Sequence, residues 1–290
     1  MTEKILVTGA TGHLGLAAIE HLLTKVGPDG VAALVRNEAK AAPLREKAVD
    51  VRLGDYDDVA ALERAMESVG KVLLVSANDH GRLLTQHQNV VRAAEKAGVQ
   101  HLVYTGMAVK DADASPLNAM LRALLDTEDH LRGSSVAHTI LRNTMYTDAL
   151  PIFLGADVLE RGINLPAGQS RTPFALRREM GEAAANVLLQ DGHEGKTYHL
   201  TASETYTFED LAQALAELSG KAVQYVSPDP QAFEDGLRSA GVPEFGVATL
   251  AGFITDIREG RYDILTQDFE NLLGRKPAAL KVSLREVYRF

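Results

Sequence analysis

Residues 4–15 read Lys-Ile-Leu-Val-Thr-Gly-Ala-Thr-Gly-His-Leu-Gly, and they leave the chain little choice in how it begins. An apolar run long enough for one strand meets three glycines at three-residue spacing, and a helical pattern follows over residues 14–25. Gly9 and Gly12 let the backbone turn tightly with no Cβ facing an incoming group, and Gly15 lets the helix lie close on the strand. The first amides of a helix have no internal partner, and its dipole places partial positive charge beside them. The turn is therefore expected to cradle a pyrophosphate, with Gly9, Thr11, Gly12, His13 and Leu14 as contacts.

The rest of the first half keeps the same rhythm. Short β-rich runs at residues 5–7, 31–35, 49–53, 72–75, 101–105 and 139–141 alternate with helical patterns at 14–25, 59–66, 85–97 and 118–132. The connections are long enough for right-handed crossovers. The expected fold class is α/β, a Rossmann doubly wound parallel sheet. After about residue 143 comes a Gly- and Pro-rich loop (155–173), then a helix at 178–190 and a strand at 197–200. Thr207 and Asp210 form a helix-start pattern, a short strand falls near 222–226, and further helices run toward residue 290. The expected division is a dinucleotide-binding domain over residues 1–150 and a smaller α+β substrate lobe over 151–290, partly packed back on the first.

Bulk composition narrows the ligand. A net charge of −9 opposes nonspecific binding to nucleic acid or anionic lipid, which leaves a small molecule as the expected partner. The chain has no cysteine, so thiolate catalysis and cysteine zinc sites are excluded. No His-Glu-x-x-His or Gly-x-Ser-x-Gly pattern occurs. No apolar run approaches the roughly 18 residues of a membrane span, and no signal segment precedes the first strand, so a cytoplasmic enzyme is expected.

The Gly-x-x-Gly-x-x-Gly spacing points to the short-chain-dehydrogenase variety of dinucleotide site. In an NAD site a carboxylate ends the second strand and receives the ribose 2′-hydroxyl. Here that place holds Arg36, whose guanidinium suits a 2′-phosphate, so NADP(H) is the expected cofactor. Asp55 follows the third strand, either as an acceptor for an adenine amino group or as a solvated carboxylate of the acidic run Asp55-Tyr56-Asp57-Asp58. Ser76, Ala77 and Asn78 end the fourth strand, and Tyr104, Thr105 and Gly106 end the fifth. Ligands of such sheets lie across the carboxyl ends of the strands, which makes these residues expected cofactor contacts.

None of the eight tyrosines has a lysine four residues on, so the usual Tyr-x-x-x-Lys acid pair is missing. Reduction of a ketone leaves an alkoxide about as basic as the conjugate base of water, pKa ~15.7, and is disfavoured without a positioned acid. A quinone becomes instead a phenolate of conjugate-acid pKa about 10, and a cationic dye needs no proton. Hydride transfer to such acceptors can rest on proximity.

At this point the chain resembles the NmrA-like atypical short-chain dehydrogenases, and within them the bacterial NADPH-dependent quinone oxidoreductases and triphenylmethane reductases. The resemblance rests on the glycine stretch, Val35-Arg36-Asn37, Gly54-Asp55-Tyr56, residues 86–91, Tyr104-Thr105-Gly106, Leu141-Arg142-Asn143, residues 192–198 and Ser219-Gly220-Lys221. Segments 105–107 and 143–148 look closer to the dye reductases. The family implies hydride transfer from NADPH to a flat aromatic acceptor, with Asn143, Met145 and Tyr146 beside the cofactor. His13 departs from the family's glutamine, and Thr172-Pro173-Phe174-Ala175 departs from its polar turn. His87 is a candidate proton donor or quinone hydrogen-bond partner, or else a residue that positions the loop 76–84. Tyr146 is a candidate donor or wall for the acceptor. The expected protein is a monomer or homodimer, with a non-catalytic NADP-binding redox sensor as the alternative and an isomerase ranked below both.

Overall fold

Six apolar runs separated by helix-length connections can satisfy their backbone groups by pairing in parallel. In the computed structural model, which describes residues 3–290, they form β1 (Lys4–Val7), β2 (Val31–Val35), β3 (Asp50–Leu53), β4 (Val69–Leu74), β5 (His101–Met107) and β6 (Ala137–Asn143). Helices α1 (His13–Val26), α2 (Ala42–Glu46), α3 (Val59–Ala65), α4 (Leu83–Ala97) and α5 (Asn118–Arg132) connect them. The chain continues through β7 (Met145–Tyr146), α6 (Leu150–Leu154), α7 (Val158–Arg161), β8 (Ile163–Asn164), β9 (Phe174–Ala175), α8 (Arg177–Leu189) and β10 (Thr197–Leu200). It ends with α9 (Phe208–Ser219), β11 (Tyr225–Val226), α10 (Pro230–Ser239), α11 (Glu244–Arg258), α12 (Asp268–Leu273) and α13 (Leu280–Tyr288).

Among the described residues β10 completes a seven-stranded parallel sheet of order β10-β6-β5-β4-β1-β2-β3. The order reverses beside β1, which has β2 on one side and β4 on the other, so a crevice opens at the carboxyl ends of β1 and β4. Side-chain alternation sends β1 into both layers. Ile5 and Val7 pack with Leu14, Ala18 and Leu22 of α1 and Met180 and Ala184 of α8. Leu6 faces Leu62 of α3, Val90 of α4 and Leu121 of α5. A third core, around Met145, Phe174, Phe208, Leu211, Ile254 and Tyr262, belongs to the second half of the chain.

Several boundaries differ from expectation for local reasons. β4 starts at Val69 and stops at Leu74, because the Val75 N–H leaves the ladder and donates to Thr8 Oγ1 at 3.0 Å. The expected strand near 222–226 is reduced to Tyr225–Val226, paired with β8 inside the loop 155–173. Residues 177–200 return to the first sheet: α8 lies on α1, and β10 pairs with β6 over Thr197–Leu200. The α1–α8 approach is close because of Gly181, where a Cβ would stand 2.5 Å from the Leu14 carbonyl oxygen and 2.8 Å from the Ala18 nitrogen. Among the described residues no helix is long and apolar enough to cross a membrane.

Candidate functional site

The glycine turn has the geometry its sequence demands. Gly9 has φ of +57°, a conformation that favours glycine, and a Cβ there would come within 3.0 Å of the Val75 side chain. A Cβ on Gly15 would collide with the Gly9 carbonyl oxygen. The Gly12 N–H closes the turn onto that oxygen at 2.9 Å, and the first intrahelical bond runs from Leu16 N–H to Gly12 O. The amides of residues 13–15 thus lie outside the intrahelical ladder, on a helix with no acidic residue in its first turn. Thr11, Gly12 and His13 are exposed, while the Leu14 side chain is buried, so Leu14 offers its amide alone.

Below this turn a closed hydrogen-bond ring fixes the crevice. Val75 N–H donates to Thr8 Oγ1, the Thr8 and Tyr56 hydroxyls share a 2.5 Å bond, and the Tyr56 hydroxyl reaches the Val75 carbonyl at 2.9 Å. Sequence reasoning missed Thr8 and Tyr56 as supports; their only signal was their place beside Gly9 and Asp55. At the ends of β2 and β3, Arg36 Nε lies 3.8 Å from Asp55 Oδ2. The guanidinium is largely exposed, and Asp55 Oδ1 also accepts the Asp57 N–H at 3.0 Å. Arg36 and Asp55 therefore stand side by side after β2 and β3, with the cation still open to a second anion.

The segment after β4 is pinned rather than loose. Ser76 N–H donates to Thr105 Oγ1 at 3.1 Å, and Ala77 N–H donates to His87 Nε2 at 2.9 Å, while Asn78 is exposed. Thr127 Oγ1 donates to the Ala123 carbonyl and so accepts from His87 Nδ1–H at 2.9 Å. His87 is wholly buried, both nitrogens are engaged, and burial pushes its pKa down to about 3. The expectation of a proton donor at His87 is corrected: the ring is neutral, has no open nitrogen, and holds the loop instead. The Tyr104 side chain is also corrected as a cofactor contact. It is fully buried, edge-on to His87 with ring centroids 5.3 Å apart, and faces the α3–α5 layer. Thr105 and Gly106 stay at the crevice edge, where Gly106 pairs with Arg142 and Met107 with Asn143.

Across the crevice the segment after β6 carries a second cluster. Asn143 is buried; its Nδ2 donates to the Tyr146 hydroxyl at 3.2 Å, and its Oδ1 has no partner among the described residues. Met145 is buried in the second-half core. Asp148 reaches the N-terminus of α8, where its carboxylate accepts Arg177 N–H at 3.1 Å and Arg177 Nε at 2.6 Å. The Arg177 guanidinium lies over the Tyr146 ring, 5.2 Å from its centroid. His13 Nδ1 comes within 3.4 Å of the same Asp148 carboxylate. Burial raises the Tyr146 phenol above its ordinary range, while the Asn143 hydrogen bond and the Arg177 charge oppose that rise. Neither Asp148 nor Arg177 could be singled out from sequence, because their contacts form only once α8 docks.

Among the described residues no group of three or more His, Cys, Asp or Glu could hold a metal ion. The profile of the NmrA-like family matches residues 1–260. Quinone oxidoreductase 2 of Escherichia coli K12 is 35% identical over 285 residues, covering 98% of each chain. The crystal structure of triphenylmethane reductase from a Citrobacter species, complexed with NADP(H), superimposes with a TM-score of 0.90 at 36% identity, over 98% of this chain and 99% of that one. An NADPH complex of the Escherichia coli NADPH-dependent quinone oxidoreductase gives 0.88 at 34% identity, with the same coverage.

Proposed function

The chain belongs to the NmrA-like family, and from that premise we propose that it is an NADPH-dependent reductase that passes hydride to a conjugated aromatic acceptor, a quinone or a triphenylmethane dye. The observation that carries this reading is the cradle itself. Gly9 and Gly15 let the turn pack tightly against Val75 and onto itself, the first amides of α1 are left outside its hydrogen-bond ladder, and the guanidinium of Arg36 follows the neighbouring strand. The amides at residues 11–14 would hold the pyrophosphate, and Arg36 would hold the 2′-phosphate. Asn143 Oδ1, buried without a partner, suits the amide N–H of a nicotinamide.

When bound, NADPH supplies hydride. The chain's own part is to hold the acceptor close and dry and, for a quinone, to provide one proton after the transfer. Tyr146 fits that task. Its oxygen accepts from Asn143, so its own O–H is left to point toward an acceptor oxygen. A cationic dye makes no such demand.

Purified protein mixed with NADPH and a panel of quinones and cationic dyes should consume the reduced nicotinamide, read as loss of its absorbance. Tight NADP binding with no turnover across the panel would instead hand the protein to the redox-sensor reading. Replacing Arg36 by Ala should weaken NADPH by about 10-fold or more, the worth of a charge-assisted phosphate contact, and leave NADH within about 2-fold. Equal weakening of both, by calorimetry, would remove Arg36 from the 2′-phosphate.

A further inference from the structure

We propose that Arg177, locked in place by Asp148, is the positioning residue for Tyr146: it fixes the phenol against the acceptor and favours release of its proton. This rests on the reductase reading above and assigns the residues behind its proton step. Asp148 holds Arg177 twice, through the first backbone amide of α8 and through Nε, so the guanidinium has little freedom. It is half-buried and spans the Tyr146 ring at 5.2 Å. A flat cation over an aromatic face is an arrangement that a lysine's compact ammonium reproduces poorly. Asn143 donates to the phenol oxygen at 3.2 Å, so that oxygen acts as an acceptor there and its own proton is left for another partner.

The charged groups facing the phenol are Arg177, which favours the phenolate, and Asp148, which opposes it. Asp148 is partly neutralised by the same arginine, and its carboxylate also lies 3.4 Å from His13 Nδ1 at the start of α1. The cluster therefore joins the two ends of the site, cofactor cradle and acceptor wall, through one carboxylate. The step it serves is balanced. Hydride brings two electrons to the quinone and leaves a hydroquinone monoanion; the Tyr146 O–H bond then breaks, its electron pair stays on the phenolate, and the proton completes the second hydroquinone hydroxyl. Water reprotonates the phenolate.

The test compares two acceptors in one protein, because only the quinone needs the proton. In Arg177→Met, kcat for a quinone should fall about 10-fold or more while kcat for a cationic dye falls less than about 3-fold. Arg177→Lys should recover part of the quinone loss. A second readout needs no turnover. The tyrosinate absorbance step that disappears in Tyr146→Phe should move to higher pH in cofactor-free Arg177→Met. Equal loss with both acceptors, no loss with either, or an unmoved phenol step would overturn the proposal. If the unmodified protein reduces neither acceptor, the reductase reading fails and takes this one with it. If it reduces both and Arg177→Met keeps the same ratio, this assignment alone fails.

Discussion

With both ring nitrogens engaged, His87 shows how a single residue's partners decide its chemistry. Its folded pKa is about 3, against 6.5 for an unperturbed histidine, so the unfolded chain binds a proton over that interval and the folded one does not. Stability is therefore complete above pH 6.5 and is lost as pH falls toward 3. The loss is about 1.4 kcal/mol per pH unit, about 5 kcal/mol in all. Urea unfolding at pH 7, 5 and 4 should show a steeper acid loss in the native chain than in His87→Gln; parallel slopes would mean that the imidazole is charged in the fold. The glycine turn and the place of Arg36 after β2 were legible because immediate neighbours set them. His87 was not, since Thr127 and the Ala77 amide decide between loop support and proton transfer, and they come from elsewhere in the chain. Tyr104 misled for a related reason: strand position predicts the backbone's place at the crevice, while alternation sends the side chain to the other layer.

The long elements were read correctly where one period dominated, as in β2 and α5, whose observed bounds match expectation. Edges failed where a side chain competed with the ladder, as Thr8 does for the Val75 amide. Two-residue strands such as β7 and β9 carry too little pattern to be seen, yet their pairing sets Tyr146 against Ala175 and so places it next to the start of α8. Helix α8 also depends on Gly181, for which nothing in the local sequence speaks. Gly181→Ala places a methyl against the α1 backbone, which cannot retreat as a flexible side chain could. The expected cost is about 1–3 kcal/mol, seen as a lower urea midpoint with unchanged slope, together with weaker NADPH binding as α1 shifts. An unaltered midpoint would mean that the two helices tolerate wider spacing.

The molecule as a whole is joined by contacts that no local pattern announces. Asp256 of α11, fully buried, accepts the Ser115 hydroxyl from the segment before α5 at 2.6 Å and pairs with Arg261 at 3.1 Å. Burial raises its pKa, against the pull of Ser115, Arg261 and Tyr262. Asp256→Ala strands a largely buried guanidinium and should cost about 3–5 kcal/mol by chemical denaturation. Asp256→Asn, which keeps the hydroxyl contacts, should cost less; the reverse order would deny the ion pair its part. The return of residues 177–200 to complete the sheet has a consequence for how the chain is born. On the ribosome the open flank of β6 must wait, unpaired and sticky, until β10 emerges some fifty residues later. A fragment cut at residue 150 should therefore clump rather than fold, and nascent chains halted between residues 150 and 200 should be the ones that chaperones hold.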